Sequence, residues 1–113
     1  MKFNLKKKCE ESRGKEAYYG ARINNQVKDV YLGMGYMDPG ESGKKIGPGR
    51  RHEEIIYAVD GSIKLSIKKT EDIILNPGEL YFLPDGKKAR LTNLSEKKTC
   101  YMIAGGHTKH HSH

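Results

Sequence analysis

The sequence predicts an all-β domain, a sandwich or a small barrel, on three observations. Apolar residues alternate with polar ones at a spacing of two over short runs, as at Ile63, Leu65 and Ile67. Turn signals recur between the runs, at Asn24-Asn25, Asp60-Gly61, Pro77-Gly78 and Pro84-Asp85-Gly86. No stretch of ten or more residues carries the three-to-four repeat of an amphipathic helix.

In chain order, Phe3 and Leu5 alternate with polar neighbours over residues 2–6, which predicts an edge strand before a polar stretch ending at Gly14. Residues 18–23 read as a strand, with a turn at 24–26, and residues 30–37 as the next strand. Gly33 and Gly35 fall on one face of that strand, where they admit another backbone or a bulge. Residues 38–49 change to Pro, Gly, Ser and Lys, which predicts a long flap-like loop. The strand after it ends at Asp60-Gly61, the signal of a tight hairpin into residues 62–68. Residues 71–86 hold two short apolar runs, each closed by a proline-bearing turn. Residues 89–94 and 99–104 are the last strands, with a turn at 95–98 between them.

A chain of 113 residues forms one domain with a single core, assigned here to residues 1–106. Hydrophobic residues make up 35% and the mean hydropathy is −0.78, a lean supply that favours a homodimer burying more apolar surface. The net charge of +7 comes from scattered doublets beside turns, and there is no Trp for base stacking. Nucleic acid is therefore a poor fit, and a small anionic ligand a better one. No apolar run reaches about 18 residues and the N-terminus lacks a signal-peptide core, so a cytoplasmic protein without membrane contact is expected. Cys9 and Cys100 lack CxxC spacing and read as free thiols of a reducing compartment. Residues 107–113 carry four of the five histidines and read as a flexible tail, where a bound metal would be adventitious.

The chemistry concentrates in residues 47–61. Alternation along a strand puts Arg50, His52, Glu54 and Ile56 on one face and Arg51, Glu53, Ile55 and Tyr57 on the other. A cation, an imidazole and a carboxylate side by side on an inward face make the best candidate site. His52 and Glu54 are its proton-moving pair, with Arg50 as the anion anchor. Tyr81 and Tyr101, on other strands, are the candidate phenols.

Two stretches together resemble the cupin superfamily. One is Glu54, six intervening residues and Gly61; the other runs Pro77-Gly78, Pro84-Asp85-Gly86, then Ala89 and, four residues on, Asn93. The resemblance covers residues 43–93 well and the flanking strands loosely. It implies a single-domain jelly-roll barrel, the double-stranded β-helix, with its ligand inside. The family's usual metal ligands are two His ahead of the Glu and a His in the second motif, and those places hold Pro48, Arg50 and Ala89. Glu54 alone remains, with His52 as the only nearby second ligand. A guanidinium in a ligand position repels a divalent cation, by about 4 kcal/mol per unit charge at 4 Å and dielectric 20. The same group suits a carboxylate or phosphate.

The expected function is therefore a small polar, sugar- or carboxylate-like anionic ligand bound without a metal cofactor. The family's metal-free isomerases and epimerases imply a proton-transfer reaction. The alternatives are a non-catalytic binding or sensor module, and an atypical metal-dependent enzyme using His52 and Glu54.

Overall fold

The computed structural model describes residues 2–13, 15–20 and 29–108. Along the chain run a helix α1 (Leu5–Glu11) and nine strands: β1 (Glu16–Gly20), β2 (Val30–Met37), β3 (Ser42–Ile46), β4 (His52–Ala58), β5 (Ile63–Ser66), β6 (Ile73–Leu75), β7 (Leu80–Leu83), β8 (Ala89–Asn93) and β9 (Thr99–His107). They form two antiparallel sheets, a first of order β1-β2-β9-β4-β7 and a second of order β3-β8-β5-β6. The core lies between them: Met37, Ile56, Leu83, Tyr101 and Ile103 from the first sheet meet Ile46, Ile63, Leu65, Leu75 and Leu91 from the second. Among the described residues no helix is long and apolar enough to cross a membrane.

Several expectations are corrected. The edge strand at 2–6 is absent, because Asn4 caps a helix there by accepting from the Lys7 N–H at 2.9 Å. One turn apart, Leu5 and Cys9 turn the apolar side of α1 onto the sheet, and the Cys9 thiol donates to the carbonyls of Lys15 and Met34. A two-residue alternation as short as Phe3–Leu5 is outweighed by a cap and a face to cover. The strand expected at 18–23 begins earlier, at Glu16; residues 21–23 of that expectation and the turn at 24–26 lie outside the described residues.

The long loop at 38–49 contains β3, which pairs with β8 through a bulge between Ser42 and Lys44. Its pairing comes from a partner strand almost fifty residues on, and of its five residues only Ile46 is buried, so no alternation announces it. The hairpin expected across Asp60-Gly61 is not formed. β4 and β5 belong to different sheets, and the Asp-Gly link carries the chain from one to the other. Asp60 accepts the Cys100 N–H at 2.8 Å, and a Cβ on Gly61 would lie 2.4 Å from the Thr99 hydroxyl, so close contact with β9 holds this corner. β9 is also longer than expected. It runs through Gly105-Gly106 to pair His107 with His52, so His107 is a strand residue; residues 109–113 lie outside the described ones.

Asn93 behaves as a structural residue. Buried at the end of β8, its amide donates to the carbonyls of Met37, Asp38 and Lys97, tying the 95–98 turn to the end of β2.

Candidate functional site

β4 alternates buried and exposed from its first residue, so His52, Glu54, Ile56 and Ala58 face inward and Ile55 and Tyr57 outward. His52 and Glu54 are 8% and 6% exposed, as their spacing predicts. Arg50 does not join them. Arg51 takes a left-handed φ of 64°, the strand starts only at His52, and Arg50 stays exposed in the turn. What Arg50 supplies to the site is its backbone: its carbonyl accepts the His52 Nδ1 proton at 2.9 Å. A carbonyl only accepts, so Nδ1 carries hydrogen and Nε2 of the neutral ring is the free acceptor.

Glu54 has its hydrogen bond elsewhere than His52. Its Oε2 accepts from the Tyr31 hydroxyl at 2.6 Å, while Oε1 is buried without a hydrogen-bond partner. Burial is the largest influence on this carboxyl and pushes its pKa above the usual carboxylate range. The Tyr31 bond and the charges of Lys88 and His52 pull the other way, and Glu16 adds to the rise. Burial first, then the bond to Glu54, drives the Tyr31 phenol upward in turn.

Tyr31 lies beside both residues, its ring 6.2 Å from the His52 ring, and the His107 ring sits 4.5 Å from that of His52. The polar inner face continues along β1. The Tyr18 ring meets Tyr31 edge-on at 6.0 Å, and the Tyr101 hydroxyl donates to Glu16 Oε2. Burial raises the pKa of both Tyr18 and Tyr101, so these phenols stay protonated.

Glycines make this face possible. A Cβ on Gly33 would lie 2.3 Å from the Tyr18 ring, on Gly35 2.3 Å from the Tyr101 ring, and on Gly105 2.5 Å from the Tyr31 ring. Gly33 and Gly35 thus receive aromatic rings rather than the backbone or bulge expected of them. Of the candidate phenols, Tyr101 is fully buried and bonded to Glu16, and Tyr81 is half-buried, packed on the core opposite Ile56. Tyr31, Tyr18 and Glu16 were not singled out by sequence reasoning. The signal was there: Tyr31 shares the two-residue period of Gly33 and Gly35, and Glu16, Tyr18 and Gly20 share another.

No family model and no curated protein matches the sequence. Solved structures do match. The Cnp3 cupin domain of Schizosaccharomyces pombe superposes with a TM-score of 0.63 at 12% identity, over 80% of this chain and 64% of that one. A sugar phosphate isomerase of the cupin superfamily from Silicibacter pomeroyi gives 0.60 at 14% identity, over 74% and 54%. The chain has the cupin fold. KdgF from Halomonas sp. agrees, with a TM-score of 0.64 at 19% identity over 88% of this chain and 85% of that. The chain spans less than two thirds of the first two structures.

A cupin fold raises the question of a metal, and the donors of this chain do not fit one. Pro48 and Ala89 are buried but have no donor side chain, and Arg50 is exposed. His52 keeps only Nε2, and one oxygen of Glu54 is engaged by Tyr31. Among the described residues no three His, Cys, Asp or Glu side chains converge, short of the three protein ligands that catalytic sites hold. The inner face of this chain instead presents a hydrogen-bonded phenol and carboxyl beside an imidazole with one free nitrogen, a set that can accept, donate and hold a proton.

Proposed function

We propose that this cupin binds a small polar, sugar- or carboxylate-like anionic molecule against the inner face of its first sheet, the two sheets acting as walls of a jelly-roll barrel. The observation that carries the reading is Glu54 Oε1, a buried oxygen with no partner of its own. Buried polar atoms in folded proteins are almost always satisfied, and a ligand hydroxyl or amide would satisfy this one. His52 Nε2 is the base or acid of an isomerase-type proton transfer. Glu54, held through Oε2 by the Tyr31 hydroxyl, offers Oε1 as an acceptor that fixes a ligand hydroxyl beside His52. Among similar folds a sugar phosphate isomerase supports this chemistry by analogy only.

The test is a thermal-shift screen with sugar acids and sugar phosphates, followed by proton NMR of any binder in D2O. A ligand at a hundred times its Kd stabilises the folded form by about 2.7 kcal/mol. Glu54→Gln and Tyr31→Phe are expected to weaken binding at least tenfold, and His52→Ala to abolish solvent deuterium uptake while binding persists. A binder whose affinity ignores Glu54 and Tyr31 would sink the reading. Binding through those residues with no deuterium uptake leaves the non-catalytic module in its place.

A further inference from the structure

Where β3 and β5 end and β8 begins, the second sheet carries a cluster of cations of which only Lys88 bears on the inner site. Lys45 on β3 stands directly opposite Arg90 on β8, and Arg90 opposite Ser66 on β5. Lys88 and Lys68 lie next along the chain from these, and Lys45, Ser66, Ile67, Lys68, Lys88, Ala89 and Arg90 line one open pocket of about 670 Å³. Its lining holds four cations and no acid. Like charges paired directly across strands destabilise a sheet, so Lys45 opposite Arg90 is a local cost that a bound anion would remove.

Two of the cations are already held in place. The Lys88 ammonium donates to the Pro48 carbonyl at 2.8 Å, and Arg90 Nη1 to the Gly43 carbonyl at 3.2 Å. Both retain further N–H donors, and fixing them before binding lowers the entropy lost when an anion arrives. A guanidinium with two or three ammonium groups around it matches the oxygens of a phosphate. The Ile67 and Ala89 walls give an apolar patch for a carbon skeleton, and the volume falls in the range of small-molecule sites. An extended nucleic acid needs a long basic track; this is a pocket of limited size.

We infer that the pocket between β3, β8 and the end of β5 is a binding site for a small phosphate-bearing molecule, held by Lys45, Lys68, Lys88 and Arg90. It includes neither His52 nor Glu54; of its cations Lys88 alone also bears on Glu54, and the variants of the test leave Lys88 in place, so the two readings fail separately.

The experiment titrates the ¹⁵N-labelled full chain with inorganic pyrophosphate and, separately, glucose 6-phosphate, at physiological salt, following amide shifts. Shifts clustered at residues 45, 66–68 and 88–90 are expected. The double variant Lys45→Gln/Arg90→Gln should weaken binding at least tenfold, and Lys68→Gln alone several-fold. Lys7→Gln/Lys8→Gln, which removes the same charge from exposed positions on α1, should leave it within twofold. Tighter binding of glucose 6-phosphate marks a phosphoester site, and tighter binding of pyrophosphate a site for free phosphates. Equal weakening by both double variants, scattered shifts, or silence with both probes overturns the inference. So does binding of a 12-nucleotide RNA at these residues when neither small anion binds.

Discussion

At the scale of single residues, Glu54 makes the sharpest claim. Its folded pKa is raised, so its proton is bound more tightly in the folded chain than in the unfolded one. The stability this contributes is complete below the unfolded pKa of about 4.3 and is lost as pH rises through the folded value. Glu54→Gln resembles the protonated form and escapes that loss, since Tyr31 can still donate to an amide oxygen. The variant should match the wild type in Tm near pH 4 and exceed it progressively towards pH 7, each unit of pKa shift corresponding to about 1.4 kcal/mol. A difference in Tm that does not change with pH would mean that burial is not what governs this carboxyl. The thiols give a second expectation. Burial, then the Asp60 and Cys9 charges, push Cys100 up to about 11, and burial raises Cys9. Both should resist a thiol-specific disulfide reagent at neutral pH in the folded chain and react at once in denaturant.

At the scale of elements, the pairing of glycine with tyrosine across strands supports the candidate site. Tyr101 cannot swing aside to admit a methyl at Gly35, being fully buried and bonded to Glu16. Gly35→Ala should therefore destabilise the fold by about 1–3 kcal/mol, the usual cost of overpacking. Adding Tyr101→Leu should return part of that loss, as a double-mutant cycle by urea denaturation would measure. Equal penalties with or without Tyr101 would make the strain a backbone one.

The same elements explain what could be read in advance. β4, β5, β8 and the inward placing of His52 and Glu54 follow from two-residue alternation, which a half-buried strand imposes on its own sequence. β3 has almost no inward residues, so only its distant partner reveals it. Asp60-Gly61 marks the break between β4 and β5, but whether the strands on either side pair or part depends on β9 and β7, far along the chain. Arg50 was misplaced by one local event, the left-handed turn at Arg51, which no alternation encodes. Tyr31, Tyr18 and Glu16 became part of the site only when β1 and β2 were laid beside β9 and β4.

At the scale of the whole molecule, the two outer faces have opposite character. That of the second sheet is cationic, whereas that of the first exposes Val30, Leu32, Ile55, Tyr57, Leu80 and Phe82. Register joins Leu32, Ala104, Ile55 and Phe82 in one row across β2, β9, β4 and β7. α1 covers the β1–β2 side of this sheet, with Cys9 against the Met34 carbonyl. Monomers seldom leave a contiguous apolar patch beyond a few hundred Å² open to water. We propose that a second copy of the chain covers this one, forming the homodimer that the lean composition favours. The groove there has Asp29 and Glu53 but no Lys or Arg in its lining, so no cation of that lining opposes the approach of two chains of charge +7. Ala104, small between Leu32 and Ile55, leaves a dip that a side chain of a twofold-related copy can enter. Sedimentation velocity on the wild type at about 100 μM should give a dimer. Ile55→Lys with Phe82→Lys, both at exposed positions, should give a monomer with an unchanged far-UV spectrum. A monomeric wild type at that concentration, or a dimer indifferent to both lysines, would place the contact elsewhere or remove it.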